Sequence, residues 1–234
     1  MAGRNASKTP PEAAALPDWQ LARRGQIVTA AIELLVERSY EQIHIRDVAQ
    51  RAQVALGTLY RYFESKEHVY AVALIEWVRP MREPSPHPGK DAVTRLRSKL
   101  HLLVAANKRY PHFLAMQHSL HASSNPLVHQ LITDYQQTGF DWLVSELDIL
   151  DEERARDIGL MLSSINSTLF GRVRLASGSY EDIRRIGDKF IDLIAPELHA
   201  AESKLSTTQA GRRRVRSLDA QLFRDPPGAV DVTR

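Results

Sequence analysis

The chain contains no cysteine among its 234 residues. This absence excludes disulfide bridges, thiolate zinc sites and cysteine nucleophiles, and it fits a reducing compartment. Glycine is also scarce, with 11 residues, while 43% of the residues are hydrophobic and 25% are charged. This balance argues against a disordered or repeat-rich polymer, and we expect a mostly globular protein.

Long hydrophobic runs are missing as well. The N-terminal sequence MAGRNASKTPPEAAALPDWQ has no apolar run typical of a signal peptide, and no later stretch approaches the roughly 20 apolar residues of a membrane span. We therefore expect a cytoplasmic protein with no membrane partner. The net charge of +3 permits a polyanionic partner but does not identify one.

Motifs of enzymes are also absent. The sequence has no GxSxG elbow, no Walker loop and no GxGxxG. The only spacing that suits a metal is that of His118 and His121 on a predicted helix, with His112 nearby, and a chain with nine histidines produces such spacing by chance. We predict no enzymatic activity, no metal site and no cofactor.

Apolar residues recur at helical spacing along nearly the whole chain, and no segment alternates at period two for the length of a strand. This pattern predicts an all-α fold. A first helix is expected from about Asp18, as N-cap, to Arg38, followed by short helices at 45–52 and 56–62. Ser65 is predicted to cap a longer helix, and five more helices are expected after the breaker run EPSPHPG, the last ending before Pro196.

The most informative segment is IRDVAQRAQVALGTLYRYFESKEHV, residues 45–69. Two short helices joined by such a tight turn must pack at a steep angle. In the second helix, Leu59 and Phe63 lie four residues apart and so face inward together. The opposite face of this helix is therefore predicted to be exposed.

That exposed face carries groups suited to DNA. Gly57 lets the backbone approach a ligand closely, and the free N–H groups of a first helical turn favour phosphate. Thr58 and Tyr60 can donate to phosphate oxygens, whereas Arg61 can reach phosphate or read guanine through its fork of donors. Lys66 suits a flanking phosphate. This layout is typical of a recognition helix that enters a major groove of double-stranded DNA.

The segment resembles the DNA-binding domain of the tetracycline-repressor (TetR) family, whose GTLYxYFxSKExL-like pattern appears here as GTLYRYFESKEHV over a match of roughly residues 20–75. More narrowly, VALGTLYRYFESKEHVYAVAL resembles the KstR-like actinobacterial repressors of steroid and lipid catabolism. The resemblance implies DNA contacts at His44, Arg46, Leu56, Gly57, Thr58, Tyr60, Arg61, Tyr62 and Lys66. Tyr62 is equally compatible with half-buried packing, and Arg46 with a solvated helix charge.

Three positions depart from the family pattern. Gln53 stands in the turn where glycine is usual, so it is expected to need a positive φ at a cost of about 1 kcal/mol. Ala55 replaces the serine that commonly caps the third helix, and His44 replaces the threonine that commonly opens the second. We expect these changes to weaken local caps and phosphate contacts without altering the fold.

Taken together, the pattern and the resemblance divide the chain into four parts. Residues 1–17 form a flexible N-terminal arm, and residues 18–64 form a three-helix helix-turn-helix DNA-binding domain. Residues 65–196 form a C-terminal helical domain for ligand binding and dimerisation. Residues 197–234 form a flexible tail that contains the basic cluster Arg212, Arg213, Arg214 and Arg216.

The resemblance implies a homodimer that presents two recognition helices to a palindromic operator, and a repressor that a ligand releases. The predicted dimer interface lies in 152–177 and 179–195, and the effector is expected to be small and largely apolar: a lipid, a sterol derivative or an acyl thioester. Candidate ligand-binding residues, each of which is also compatible with plain core packing, are Phe113, Met116, Tyr135, Trp142, Met161, Asn166 and Phe170. The alternative is a helical adaptor protein that has no effector.

Overall fold

The computed structural model describes residues 16–82 and 90–222, except for the side chains of residues 82 and 208–222. The predicted arm up to residue 15, the predicted tail from residue 223 and the side chains of the arginine cluster therefore lie outside the described residues. The regular elements within these residues are all helices, which confirms the all-α prediction. Three single 3₁₀ turns lie at Tyr40–Gln42, Arg79–Arg82 and Ser145–Leu147. The α-helices are α1 (Asp18–Glu37), α2 (Ile45–Arg51), α3 (Leu56–Tyr60), α4 (Lys66–Val78), α5 (Ala92–Arg109), α6 (Pro111–His121), α7 (Pro126–Val144), α8 (Glu152–Arg174) and α9 (Tyr180–Leu222).

Side-chain caps define several helix starts. Ser65, Asn125 and Asp151 each accept a hydrogen bond from a backbone N–H in the first turn of α4, α7 and α8, at 3.1, 2.9 and 2.9 Å respectively. The cap at Ser65 confirms the prediction. At α1 the prediction is off by one residue, because Pro17 is the N-cap and Asp18 lies in the first turn, where its carboxylate faces the positive end of the helix dipole.

The first hydrophobic core joins α1–α4 to α6 and α7. Leu59 and Phe63 are fully buried in it, as the sequence predicts. Met116 of α6 and Ile132 of α7 belong to the same cluster. Burying an aliphatic side chain of this size contributes about 1.5–3 kcal/mol, so the helices around α3 depend for stability on helices from the second half of the chain.

The second hydrophobic core is enclosed by α5, α7, α8 and α9. Leu100 of α5, Leu162 of α8 and Ile191 of α9 are fully buried in it. Gly187 lets α9 approach α5 closely, because a Cβ atom there would overlap the Leu100 side chain. The close spacing of α5 and α9 in this core therefore depends on a residue without a side chain at position 187.

A buried ammonium group lies at the edge of the second core. The Lys99 Nζ donates to the carbonyl oxygen of Trp142 at 2.5 Å and to the hydroxyl of Ser145 at 2.7 Å, and it pairs with Glu146 Oε1 at 2.9 Å. Burial alone would raise the pKa of Glu146, but hydrogen bonds from Arg95 and Lys99 hold that pKa below its ordinary value. Every donor of Lys99 is thus used within the protein.

The prediction that the last helix ends before Pro196 is wrong. α9 continues through Pro196 to Leu222, so residues 197–222 of the predicted flexible tail are helical. Proline has no N–H, and the helix therefore lacks the bond that this position would otherwise make to the carbonyl of Asp192. Ile194 and Leu198, on either side of the proline, are buried in the second core, and their burial offsets the loss.

Among the described residues, two that are not glycine adopt the left-handed backbone conformation: Gln53 with φ of 53° and Ala176 with φ of 54°. The first confirms the prediction for the turn between α2 and α3. Ala55 is the N-cap of α3 and makes no side-chain cap, again as predicted. The turn that orients α3 is therefore strained and weakly capped.

We expect Gln53→Gly to raise the free energy of unfolding by up to about 1 kcal/mol, because glycine adopts a positive φ without the Cβ clash. Urea unfolding followed by circular dichroism measures the change. Gln50→Gly is the control: Gln50 is exposed in regular helix, so glycine there should destabilise by about 1 kcal/mol. Equal destabilisation by both substitutions would show that the turn at Gln53 carries no strain.

Candidate nucleic-acid interface

The burial of Leu59 and Phe63 decides which side of α3 faces outward. Tyr60 is 47% exposed, and Gly57 and Arg61 are exposed as well. A Cβ atom built at Gly57 meets no heavy atom within 4 Å. The fold therefore does not require glycine at this position, and the open space lies on the face predicted to approach DNA.

The first turn of α3 adds backbone donors to this face. The N–H groups of Thr58 and Leu59 bond back to the carbonyl of Ala55 at 2.8 and 3.1 Å. The two preceding N–H groups, at Leu56 and Gly57, are too early in the helix to have an intrahelical acceptor. Thr58 is half-buried beside them, so this end of α3 combines hydroxyl and amide donors without a formal charge.

The start of α2 lies on the exposed surface. His44 is its N-cap, and the His44 backbone N–H donates to Asp47 Oδ2 at 2.9 Å. His44 and Arg46 are both exposed, whereas Leu56 is half-buried. Of the residues predicted to contact DNA, His44, Arg46, Gly57, Tyr60 and Arg61 thus have side chains or backbone open to solvent.

Two of the predicted DNA contacts are placed differently. Tyr62 is only 6% exposed and packs in the first core, so most of its surface is committed to the fold. The Lys66 ammonium donates to the carbonyl oxygen of Tyr40 at 2.5 Å and lies 3.9 Å from the centroid of the Tyr40 ring. Burial lowers the pKa of Lys66 despite nearby carboxylates. In this conformation Lys66 fastens α4 to the 3₁₀ turn and does not extend outward as a phosphate ligand.

Arg24 of α1 is a neighbour of the α3 region that the sequence does not reveal. Its guanidinium lies 5.1 Å from the centroid of the Phe63 ring, and burial lowers its pKa. The stacking links the N-terminal half of α1 to the end of the recognition segment. No spacing rule connects residues so distant in the sequence, so only the fold shows the contact.

The seven candidate ligand-binding residues do not form one cluster. Phe113 and Met116 lie in the first core, with Tyr135 packed against it, whereas Trp142 and Phe170 belong to the second core. Asn166 is buried, at 5% exposure. Met161 is 44% exposed on the outer side of α8, and its position does not support the prediction that it lines an internal site.

The histidines of α6 make local contacts. Nδ1 of His118 donates to the carbonyl of Leu114 at 3.1 Å, and Nδ1 of His121 donates to that of Gln117 at 2.6 Å. In the part of the chain that the structure describes, no group of three or more histidine or acidic side chains has an arrangement that could hold a metal ion. None of the helices between residues 16 and 82 or 90 and 222 is long and apolar enough to cross a membrane.

Residues 27–73 match the family model described as bacterial regulatory proteins, tetR family. The "HTH-type transcriptional repressor KstR" of Rhodococcus jostii (strain RHA1) is 39% identical over 93 residues, which are 39% of this chain and 44% of that repressor. The match to this curated relative thus spans less than half of its length. Residues 27–73 are thus similar to the tetR family of bacterial regulatory proteins, and the relatives of the N-terminal part of the chain include KstR-type repressors.

Solved structures extend the likeness to the whole fold. A TetR transcriptional regulator from Rhodococcus sp. RHA1 superposes with a TM-score of 0.64 at 22% identity, over 76% of this chain and 97% of that one. Thermus thermophilus FadR, a TetR-family repressor solved in complex with lauroyl-CoA, superposes with a TM-score of 0.61 at 17% identity, over 72% and 92% of the two chains. At these identities the likeness establishes the shared architecture of an N-terminal helix-turn-helix and a helical C-terminal domain.

We expect Tyr60→Phe or Thr58→Ala to weaken binding to a selected operator by about 1–2 kcal/mol at fixed salt, because each removes a hydroxyl that bonds to phosphate. Fluorescence anisotropy with labelled operator DNA measures the affinity. Tyr62→Phe is the matched control, since the Tyr62 side chain is buried, and it should change the affinity little. Parental affinity in both test variants would show that this face of α3 does not meet the DNA.

Proposed function

We propose that the protein is a homodimeric, sequence-specific transcriptional repressor that binds a palindromic operator in the cytoplasm and leaves it when a small, largely apolar effector binds. Residues 18–64 read the DNA, and residues 65–196 bind the effector and dimerise. The outward face of α3 carries the proposal: Gly57 has open space beside it, and Tyr60 is exposed next to it. The KstR-type relative, itself a repressor by name, supports the direction of regulation.

Two glycines separate a role in DNA binding from a role in folding. Gly57 lies in α3 and Gly25 in α1; both are exposed, and a Cβ atom at either meets nothing within 4 Å. Alanine should therefore stabilise the free protein by about 1 kcal/mol at each helical position. Only at Gly57 does the added methyl group point at the proposed DNA backbone.

We expect Gly57→Ala to be as stable as the parent or more stable, yet to bind operator at least about tenfold more weakly, a loss of about 1.4 kcal/mol. Gly25→Ala should gain stability and keep its affinity. The measurements are thermal unfolding and anisotropy with an operator selected from genomic fragments. If the parent selects no operator, the adaptor alternative stands; if Gly57→Ala binds like the parent, α3 does not approach DNA closely.

The proposed dimer interface follows the outer faces of α8 and α9. Leu160 and Met161 of α8 are 51% and 44% exposed, and Leu193 of α9 is 80% exposed. Gly171 continues the α8 stripe, and a Cβ atom there meets nothing within 4 Å in the protomer. Exposed leucines beside small residues are what two helix pairs need to pack as a four-helix bundle across a two-fold axis.

We expect Leu193→Glu to raise the dissociation constant of the dimer by about tenfold or more, because it places a charge in an apolar interface. Analytical ultracentrifugation over a concentration series measures this constant. Val36→Glu is the control, since Val36 is 50% exposed on α1, away from both helices, and it should leave the dimer intact. A monomeric parent at micromolar concentration would remove the basis for a dimeric operator reader.

Contacts between α6 and the DNA-binding helices support a route for the effector's signal. Phe113 of α6 stacks on Trp77 of α4 with ring centroids 4.1 Å apart, and the Ser119 hydroxyl donates to Glu41 Oε1 at 3.2 Å. Glu41 lies in the same 3₁₀ turn that Lys66 holds. An effector that binds better when α6 is displaced favours a conformation in which α4, and with it the spacing of the two α3 helices, is changed. The free energy of DNA binding is then weakened by the difference between the effector's binding free energies to the two conformations. The lauroyl-CoA in Thermus thermophilus FadR shows the kind of ligand that a protein of this fold takes.

A further inference from the structure

The side-chain amide of Asn166 is buried without a partner. Its Oδ1 and Nδ2 atoms are both inaccessible to solvent, and neither has a hydrogen-bonding partner among the described residues. Leu162 and Phe170, one turn before and after it on the same face of α8, are buried in the second core. The amide therefore lies against apolar side chains.

Such a group is costly for the folded protein. An amide that loses water and gains no hydrogen bond destabilises a protein, which is why buried polar groups nearly always have partners. The nearby Asn107 shows the ordinary arrangement, since it is also buried but its Nδ2 donates to the Leu103 carbonyl at 2.9 Å. Asn166 has the chemistry of a group whose partner is supplied from outside the chain.

A second unsatisfied donor belongs to the same core. The indole Nε1 of Trp142, on α7, is buried and has no acceptor among the residues that the structure describes. The α7 and α8 helices are in direct contact, because a Cβ atom at Gly159 would lie 3.0 Å from the Phe140 ring. The two unsatisfied groups are therefore on neighbouring helices around one apolar core.

The charges of this core are already neutralised. Lys99 uses its three donors on Trp142, Ser145 and Glu146, and the other carboxylate oxygen of Glu146 accepts from Arg95 at 2.5 Å. A ligand carboxylate entering here would have to break this network or remain unpaired, and an unpaired buried charge is far more costly than an unpaired amide. The groups left for a ligand are neutral donors and one neutral acceptor.

We infer that the part of the effector that enters the second core is uncharged and apolar, and that its carbonyl, hydroxyl or amide group hydrogen-bonds with Asn166, with Trp142 Nε1 as a second donor. This inference rests on the proposed function and deepens it by defining the polarity of the ligand. The apolar part of the molecule packs against the side chains of the second core. An acyl chain or ring system fits this description through a neutral oxygen or amide, and a free carboxylate does not.

The test compares five probes on the full-length protein: dodecan-1-ol, dodecanamide and 2-decalone as neutral polar compounds, dodecanoate as the charged one and dodecane as the apolar one. Binding is measured at pH 8 by the shift in melting temperature and by titration calorimetry. We expect at least one neutral polar probe to bind the parent about tenfold or more tightly than dodecanoate and dodecane do. Binding of dodecanoate as tight as that of the neutral probes, or binding of none of the five, overturns the inference.

Two variants identify Asn166 as the anchor. Asn166→Leu should raise the melting temperature of the ligand-free protein by about 2–4 °C, because it removes an unsatisfied group, and it should abolish the preference for neutral polar probes over dodecane. Asn107→Leu should lower the melting temperature, because it breaks a satisfied hydrogen bond, and it should keep the preference. If Asn166→Leu instead destabilises the protein and keeps the preference, the amide is satisfied by internal water and the inference is wrong.

Operator binding is measured in parallel on the ligand-free parent and on Asn166→Leu. Both should bind the operator equally, because the neighbours of Asn166 on α8 are buried in the second core, whereas α3 packs in the first core. Failure of the parent to bind any operator contradicts the proposed function, while the probe titrations still decide the ligand's polarity. Release of a bound operator by dodecanoate but by no neutral probe leaves the repressor function standing and overturns this inference alone.

Discussion

The continuity of the first hydrophobic core is the constraint on which the rest of the structure depends. Leu59 and Phe63 fix the rotation of α3 by facing into that core, and the same core contains Met116 of α6 and Ile132 of α7. The exposed face of α3 therefore depends for its stability on α6 and α7 as well as on the N-terminal helices. A shift of α6 is therefore expected to displace α3, which carries Gly57 and Tyr60, because close-packed interiors transmit displacement. At this junction α1–α4 and α6–α7 are packed into one continuous core.

The polar groups in the two halves follow different rules. At the edge of the second core, Lys99 donates to a carbonyl at the end of α7 and forms an ion pair with Glu146. Arg95 forms a second ion pair with Glu146. By contrast, the buried amide of Asn166 on α8 has no hydrogen-bonding partner among the described residues. A fold selected for stability alone would place an aliphatic side chain there. A buried amide without a partner, in a protein whose other buried charges are paired, is the kind of local inconsistency that functional sites show.

Local signals account for what the sequence could predict. The cap at Ser65 and the strained turn at Gln53 follow from hydrogen-bonding rules and φ preferences that involve only a few neighbouring residues. The predicted inward direction of Leu59 and Phe63 is correct for the same reason, because the Phe63 N–H bonds to the Leu59 carbonyl and continues the helical spacing just past the end of α3. The all-α class and the candidate reading face therefore need no knowledge of tertiary contacts.

Long-range contacts explain where the structure differs from what the sequence pattern indicates. Pro196 is a reliable breaker only when nothing else holds the helix, and here buried residues on both sides keep it continuous. The sequence indicates no partner for Lys66, but in the fold its ammonium donates a hydrogen bond to the Tyr40 carbonyl oxygen. Met161 fits an apolar pocket by composition, yet the rotation of α8 turns it outward. In each case the deciding contact joins residues that are far apart in the chain, where periodicity carries no information.

The contact between Lys66 and Tyr40 also bears on how an operator would be distinguished from bulk DNA. Each cation that neutralises a phosphate releases condensed counterions and steepens the salt dependence of binding by a slope of about 0.9, and this contribution is the same for every sequence. A lysine held by a carbonyl and an aromatic ring contributes nothing to that term. With Thr58 and Tyr60 as uncharged donors on α3, more of the proposed affinity comes from geometry and less from counterion release. Such a protein would lose less affinity as ionic strength rises, and it would spend less time on the vast excess of non-operator sequence.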